Sequence, residues 1–344
     1  MRIPRLLVAA AAAIAVVAGG VVPAGAATSP AAVAQVAGPN RFLGVFQTGQ
    51  PGTVPAEVKA RYGATPASVM WFDSWGTGAK FPVADAKKLW RQGVMPHYTW
   101  EPWYTDLGPN DPGQIKLADI VDGTWDSYIK ARGREFARVG KPIMVRWAHE
   151  FNGNWYPWGI ANNGADPSLY VRAYQHVHDL VEGVGADNVQ WVWAYNNGSS
   201  PNEAYNDPAA AYPGDDYVDW VGIDGYNWGF GPSWDPGVDH WVSFEDTFAG
   251  AYATSRVVAP GKPVMLGEFA SSADGGDKAR WIADMNATLR AGTFPDLRLL
   301  TYFDVVKEEA WSPGSSPEAT DAFIDWVSRW PMKGTGAGLA RIAR

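Results

Sequence analysis

The stretch VRWAHEFNGNWYPWG, residues 145–159, joins an apolar strand pattern to a run of polar and aromatic residues. Ile143 and Met144 precede it after a Lys-Pro turn and are typical of a buried strand. The apolar run then ends in His149 and Glu150, where a strand that served only the core would stay apolar. Because ligands bind beyond the carboxyl ends of parallel strands, this ending indicates a functional site at the edge of a sheet.

Seven further segments share this apolar, β-branched and aromatic character, with Gly, Pro or Asn residues at their ends. The eight predicted strands are Phe42–Gln47, Ser68–Asp73, Val94–Glu101, Pro142–Glu150, Asn188–Tyr195, Tyr217–Tyr226, Pro263–Phe269 and Leu299–Asp304. Helical patterns lie between them, and eight strands that alternate with helices predict a single (β/α)8 barrel, an α/β fold. A doubly wound open sheet is the alternative, but no Gly-rich phosphate loop follows a strand.

Residues 1–26 have the order of a secretory signal peptide. Arg2 and Arg5 precede a continuous apolar run, Leu6–Val17, and small residues, Ala24–Ala26, end the segment. The apolar run is shorter than the roughly 20 residues that a membrane-spanning helix needs. We therefore expect a secreted, extracellular protein that is not held in a membrane.

The rest of the chain shows one composition regime and no fixed-period repeat. Residues 27–40, rich in Ala, Ser, Pro and Gly, are expected to form a flexible lead-in. Residues 41–332 are expected to form one catalytic barrel domain, and residues 333–344 a loose C-terminal tail.

The composition excludes several classes of partner. With 28 Lys and Arg against 36 Asp and Glu, the formal net charge is −8, so nucleic acids and anionic membranes are poor partners. The chain has no cysteine, which excludes a disulfide scaffold, so the fold must be held by its core. We expect the protein to be a monomer. Its 19 Trp and 14 Tyr either fill that core or line a cleft.

Two carboxylic acids close predicted strands in comparable settings. Glu150 ends the fourth strand, and Glu268 ends the seventh within KPVMLGEFA. Two carboxyl groups on one barrel rim can cleave an acetal, because a protonated one donates to the leaving oxygen while an ionised one attacks the anomeric carbon. Arg146, four residues before Glu150, is expected on the same strand face, where a cation favours an ionised carboxylate.

This chemistry requires neither a metal nor an organic cofactor. A retaining reaction predicts a separation of about 5 to 5.5 Å between the two carboxyl groups. Glu101 and Asp304 also end predicted strands and are the rival carboxylic acids.

Tryptophans are concentrated after the predicted strand ends. Flat rings match the apolar faces of a sugar, while polar side chains match its hydroxyl edges. The candidate rings are Trp100, Trp155, Trp158, Trp228 and Trp311. The pattern favours a polysaccharide as the partner.

Three segments, RWAHEFNGNWYPWG, VGIDGYNWG and KPVMLGEFA, resemble the strand-4, strand-6 and strand-7 segments of glycoside hydrolase family 26. The resemblance runs from about Phe42 to Trp330. The family consists of retaining (β/α)8 enzymes with the acid/base on strand 4 and the nucleophile on strand 7. The resemblance therefore implies that Glu150 is the acid/base and Glu268 the nucleophile.

The resemblance also implies roles for residues around the pair. His149 matches the histidine that precedes the acid/base in this family, and Tyr226 matches the tyrosine that hydrogen-bonds the nucleophile. The other residues that resemble substrate-binding positions are Trp155, Trp311, His97 and Asp224.

Characterised relatives in this family cut mostly β-1,4-mannan, and some cut mixed-linkage β-1,3-1,4-glucan or β-1,3-xylan. The resemblance implies a secreted retaining endo-β-glycanase, with β-1,4-mannan as the first substrate and mixed-linkage glucan as the alternative. Here the strand-4 motif ends in Trp-Tyr-Pro-Trp rather than the Trp-Phe-Trp-Trp of typical mannanases. A non-catalytic polysaccharide-binding barrel is the alternative from another class, and it would need neither glutamate.

Overall fold

The computed structural model describes residues 40–230, 241–329 and 334–343. The expected signal peptide and residues 27–39 of the expected lead-in lie outside the described residues. Within the described ranges, eight parallel strands pair in chain order and close into a barrel. The strands are β1 Phe42–Phe46, β2 Ser68–Ser74, β3 Met95–Glu101, β4 Ile143–Trp147, β5 Val189–Asn196, β6 Trp220–Asn227, β7 Val264–Ser271 and β8 Leu297–Phe303. The predicted (β/α)8 barrel is confirmed.

Between β5 and β6, residues 197–219 form short 3-10 turns and no α-helix. Helices follow each of the other seven strands, and most of them pack against the outside of the barrel. They are α1 Val54–Tyr62, α2 Val83–Arg91, α3 Leu117–Val121, α4 Asp126–Ala137, α5 Pro167–Glu182, α6 Phe244–Val258, α7 Lys278–Ala291, α8 Pro317–Arg329 and α9 Gly336–Leu339. Helix α5 shows how local sequence sets a helix start, because the Asp166 side chain accepts a hydrogen bond from the Ser168 amide and proline occupies the first turn. In the part of the chain that the structure describes, no helix is long and apolar enough to cross a membrane.

The barrel has two separate apolar regions. The larger one lies between the strands and the helices and contains most of the buried rings. The smaller one fills the lower half of the barrel interior, at the amino-terminal ends of the strands. It contains Met95, Met144, Trp220, Met265 and Leu299, among others. This packed interior leaves the carboxyl ends of the strands as the place for polar side chains.

Residues 334–343 correct our expectation that residues 333–344 form a loose tail. Leu339 and Ala340 are buried against the lower interior cluster. The Gln190 side chain of β5 donates to the Ala340 carbonyl at 2.9 Å, and the Trp220 indole donates to Gln190 Oε1 at 3.0 Å. The segment therefore closes the amino-terminal end of the barrel. The expectation failed because so short a Gly- and Ala-rich stretch shows no periodic apolar pattern.

We predict that Leu339→Ala lowers the free energy of unfolding by about 2–5 kcal/mol, because it leaves a cavity in the floor of the barrel. Urea denaturation followed by fluorescence would measure the change. The matched control is Arg341→Ala, since Arg341 is exposed two residues further on, and we expect a change within about 0.5 kcal/mol. Equal midpoints for the two variants would contradict the packing of this segment in solution.

Candidate active site

Arg146 of β4 lies at the centre of the barrel mouth and is completely buried. Its guanidinium donates to Thr99 Oγ1 at 3.0 Å, to Asp224 Oδ2 at 2.7 Å and to Glu268 Oε1. Burial lowers the pKa of Arg146, but the carboxylates of Asp224 and Glu268 outweigh that effect and raise the pKa above its usual value. The cation therefore stays charged inside the barrel and holds two carboxylates in place.

A bulge in β7 brings Glu268 to this cation. Leu266 pairs with Ile223 and Glu268 pairs with Asp224, so Gly267 is an extra residue in the β7 strand. A Cβ at position 267 would lie 2.5 Å from Asp224 Oδ1. Only glycine therefore fits there, which gives a physical reason for the Gly-Glu pair in KPVMLGEFA.

Glu268 accepts hydrogen bonds at both of its carboxylate oxygens. Tyr226 donates its hydroxyl to Glu268 Oε2 at 2.6 Å, and Arg146 binds the other carboxylate oxygen. His149 Nε2 lies 3.8 Å from Glu268 Oε1. Burial lowers the pKa of His149 well below its usual value, and the charge of Arg146 lowers it further. This ring is therefore neutral. The structure thus places Tyr226 and His149 beside Glu268, the predicted nucleophile.

The backbone before Glu150 departs from a regular strand. Strand β4 ends at Trp147, three residues earlier than predicted, and Ala148 and Glu150 have positive φ angles of 45° and 51°. Such angles cost about 1–3 kcal/mol each for residues other than glycine. Neighbouring strands hold them: the Ala148 amide donates to the Trp100 carbonyl at 3.2 Å, and the Glu150 amide to the Ala194 carbonyl at 3.0 Å.

This geometry corrects the premise that Arg146 and Glu150 share one continuous strand face. The alternation of sides stops at Trp147, and the irregular turn after it carries Glu150 into the mouth. Strain stored at a functional position is a known feature of active sites.

The Glu150 carboxylate sits in a different environment from that of Glu268. It accepts hydrogen bonds from Asn196 Nδ2 and from Trp155 Nε1, both at 2.8 Å. Burial raises the pKa of Glu150, and the negative charge of Glu268 raises it further, to about 7. Glu150 therefore holds a proton in a large fraction of molecules at neutral pH and can donate it, as a general acid requires.

Asn152 and Asn196 support this carboxylate, and our sequence analysis gave them no role. The Asn152 side chain donates to the Asn196 carbonyl at 2.9 Å and accepts from the Asn196 amide at 2.8 Å. It therefore fixes the end of β5, from which Asn196 reaches Glu150. The available signals were the Asn-Gly pair that follows Glu150 and the polar end of the fifth predicted strand.

The rival carboxylic acids do not match the predicted roles. Burial raises the pKa of Glu101 to about 8, so this group is mostly protonated at neutral pH and is a poor nucleophile. Asp304 accepts hydrogen bonds from Tyr62 at 3.0 Å and from Ser312 at 2.5 Å. Its carboxylate is engaged in holding the loop after β8, outside the pair at the centre.

The predicted rings fall into two groups. Trp155 is 38% exposed, and Trp228 and Tyr226 are partly exposed. Trp311 packs on Tyr226 and Trp228, with ring centroids at 4.7 and 4.8 Å, but it is only 1% exposed. Trp311 therefore backs the exposed rings and does not itself face solvent.

Trp100 and Trp158 are corrections to our list of cleft rings. Trp100 points away from the barrel axis, because it alternates with the inward-facing Thr99 and Glu101, and it packs on Phe136 at 5.5 Å. Trp158 is buried and donates its indole N–H to the His149 carbonyl at 2.6 Å.

Tyr156 takes the place that we expected for Trp158. It stacks on Trp158 with centroids 4.3 Å apart, lies 4.9 Å from the His149 ring, and is partly exposed. Burial raises the pKa of Tyr156 well above its usual value, and the charges of Glu101 and Glu150 add to this effect. Tyr156 is therefore a ring at the mouth that sequence reasoning missed.

His97 and Asp224 lie deeper than subsite residues should. His97 pairs with Met144, one layer below Arg146, and is fully buried. Burial lowers the pKa of His97 well below its usual value, and the charge of Arg146 lowers it further. Asp224 is also fully buried and holds Arg146. In this structure both support the site from beneath its surface.

A barrel that presents an acidic pair among partly exposed rings is an arrangement typical of glycoside hydrolases. The model of glycosyl hydrolase family 26 matches residues 127–239. This match includes Glu150 and Tyr226. Together with the relatives described next, it shows that the chain belongs to glycosyl hydrolase family 26.

Two curated relatives and one solved structure illustrate the similarity. Endoglucanase H of Acetivibrio thermocellus is 35% identical over 260 residues, which cover 74% of this chain but 27% of that protein. Mannan endo-1,4-beta-mannosidase of Bacillus subtilis is 35% identical over 115 residues, which cover 32% of this chain and 28% of that protein. The catalytic domain of the endo-beta-1,4-mannanase of Bacillus sp. JAMB-750 has a TM-score of 0.67 at 16% identity, covers 88% of this chain and 89% of that one, and bears on the fold.

The hydrogen bonds to the Glu150 carboxylate predict that its pKa changes when a donor is removed. Asn196→Ala removes a donor that stabilises the ionised carboxylate, so the pKa of Glu150 should rise from about 7 by about half a unit or more. Side-chain carbon NMR of labelled glutamate against pH would measure it. Asn197→Ala is the matched control, because Asn197 donates to the Thr247 carbonyl instead. An unchanged or lower pKa in Asn196→Ala would refute this account of the carboxylate.

Proposed function

We propose that the protein is a retaining endo-β-glycanase that hydrolyses a plant-type β-linked polysaccharide. The observation that carries the proposal is the unequal environment of the two glutamates. Glu268 is bound by a cation and a tyrosine hydroxyl, whereas Glu150 is buried with neutral donors and has a pKa of about 7. These are the requirements of a nucleophile and a general acid in glycoside hydrolysis.

In the first step, the Glu268 carboxylate attacks the anomeric carbon and forms an ester bond to it. The glycosidic carbon–oxygen bond breaks, and Glu150 transfers its proton to the departing oxygen. In the second step, the ionised Glu150 removes a proton from water, which attacks the same carbon and releases Glu268. Two inversions give net retention. The separation of about 5 to 5.5 Å between the carboxyl groups that this mechanism needs stays a prediction.

The surrounding residues have supporting roles in this proposal. Arg146 and Tyr226 bind and orient the Glu268 carboxylate, and Trp155 orients Glu150 while offering an exposed ring to a sugar. Neutral His149 lies beside Glu268, with Nε2 3.8 Å from Glu268 Oε1, and backs the partly exposed ring of Tyr156 at 4.9 Å. No step requires a metal or an organic cofactor.

β-1,4-Mannan is the first candidate substrate. The proposal is supported by the name of the Bacillus subtilis relative and by the similarity in fold to a mannanase catalytic domain. A β-glucan, including mixed-linkage β-1,3-1,4-glucan, is the second candidate. It is favoured by a specific observation: the relative that matches 74% of this chain is named an endoglucanase.

Site-directed variants would test the mechanism. We expect Glu150→Ala to lower kcat/KM on the cleaved polysaccharide by about 10²- to 10⁴-fold, the usual contribution of a general acid. Glu268→Ala should abolish turnover. Reducing-sugar release from soluble β-mannan and mixed-linkage β-glucan would measure both, with Glu57→Ala, an exposed glutamate on α1, as the unaffected control.

The outcomes separate the alternatives. Azide should restore turnover of an activated aryl β-glycoside, giving a β-azide with Glu150→Ala and an α-azide with Glu268→Ala. Activity only on the glucan would keep the mechanism and replace the substrate. A folded wild-type protein that binds these polysaccharides but hydrolyses none would overturn the proposal in favour of a binding barrel.

We also propose that the protein is exported, with the signal-peptide order of residues 1–26 as the support. Expression of the full chain in a bacterial host should yield protein outside the cytoplasm that begins at Ala27. N-terminal sequencing of that protein would measure the cleavage point. Full-length protein confined to the cytoplasm would contradict export.

A further inference from the structure

A buried lysine outside the catalytic pair binds the loop after β8. Lys278 is the first residue of α7 and is only 4% exposed. Its ammonium donates to the carbonyls of Ala310, Trp311 and Ser312, the last two at 3.4 and 3.2 Å, and to Ser315 Oγ at 3.1 Å. All four acceptors are neutral oxygens on a single loop.

This placement is costly for a structural residue. The amino-terminal end of a helix carries partial positive charge, which disfavours a cation there. Burial lowers the pKa of Lys278 to about 8, and the negative charges of Glu309 and Asp304 offset only part of that effect. An apolar side chain of similar length would fill this position without the cost of burying charge. The carbonyl contacts are therefore what the lysine provides.

The loop that Lys278 binds carries Trp311. The Trp311 ring packs on Tyr226 at 4.7 Å and on Trp228 at 4.8 Å. Tyr226 in turn donates its hydroxyl to Glu268 Oε2 at 2.6 Å. A continuous series of contacts thus runs from the lysine through the loop and Trp311 to the carboxylate that attacks the sugar.

We infer that Lys278 is a positioning residue for the nucleophile, which acts by fixing the loop so that Trp311 holds Tyr226 in hydrogen-bonding distance of Glu268. The inference rests on the proposed function, because it assigns Glu268 its catalytic role. Lys278 itself touches neither the substrate nor the reacting atoms.

The variant Lys278→Met removes the donors and keeps a chain of similar length. A displaced Tyr226 no longer donates its hydroxyl to the Glu268 carboxylate, so the acidic limb of kcat/KM against pH should move up by about half a unit or more. At neutral pH, kcat/KM should fall by about two- to ten-fold, which corresponds to the loss of one hydrogen bond. In Tyr226→Phe the acidic limb should move in the same direction, because this variant removes the tyrosine hydroxyl itself. The double variant Tyr226→Phe with Lys278→Met should show no further shift.

Arg41 offers a matched control for simple loss of stability. It is another buried cation with three backbone carbonyl acceptors, those of Leu289, Phe294 and Leu297. Leu289 lies near the end of α7, Phe294 in the loop that follows, and Leu297 is the first residue of β8, so all three acceptors lie away from the mouth. Arg41→Met should lower stability and leave the acidic limb where it is in the wild type.

Near-UV circular dichroism gives a readout that does not need hydrolysis. The band from the Trp228–Trp311 pair should weaken in Lys278→Met and in Trp311→Phe but not in Arg41→Met. Where Lys278→Met does not fold, Lys278→Gln, which keeps two amide donors, carries the test with a smaller shift in the same direction.

A folded Lys278 variant with the acidic limb and near-UV spectrum of the wild type would overturn the inference. Equal limb shifts in Lys278→Met and Arg41→Met would also overturn it, because they would show a general effect of lost stability. Failure of the proposed function looks different: the wild type would hydrolyse no β-glycan, while the spectroscopic comparison would still decide the role of Lys278 in placing Trp311.

Discussion

The guanidinium of Arg146, charged and fully buried inside the barrel, is the constraint on which the mouth depends. A buried cation must be neutralised, and removal of one partner from such a pair costs about 3–5 kcal/mol. Asp224 and Glu268 provide the neutralising charge, and glycine at position 267 provides the space for their approach. The position of the predicted nucleophile is therefore set by charge balance within rigid strands and not by a mobile loop.

The two central glutamates differ because their surroundings differ. Glu268 sits on a bulged but continuous strand beside a cation, so its negative charge is compensated. Glu150 sits on a turn with positive φ angles, next to the charge of Glu268 and two neutral donors, so its proton is retained to higher pH. Backbone geometry and electrostatics thus separate the two groups before any sugar arrives.

The strands and the two glutamates at their ends could be predicted from the sequence. Whether each aromatic ring faces the barrel interior or the surrounding helices could not. Buried parallel strands appear as apolar runs, and Glu150 and Glu268 interrupt such runs. Trp100 was misassigned because composition identifies a ring but not the face on which it lies, and its neighbour Glu101 already occupies the inner face. The turn at Ala148 and the bulge at Gly267 depend on contacts with neighbouring strands, which no local pattern encodes.

The floor of the barrel has a consequence for how the chain matures. Residues 334–343 cover the apolar interior around Trp220, and Gln190 bonds to a carbonyl 150 positions later. Among the described residues they leave the ribosome last, so the strands are synthesised while their lower interior is still open to solvent. A nascent barrel with such a surface is prone to aggregate until the final segment arrives.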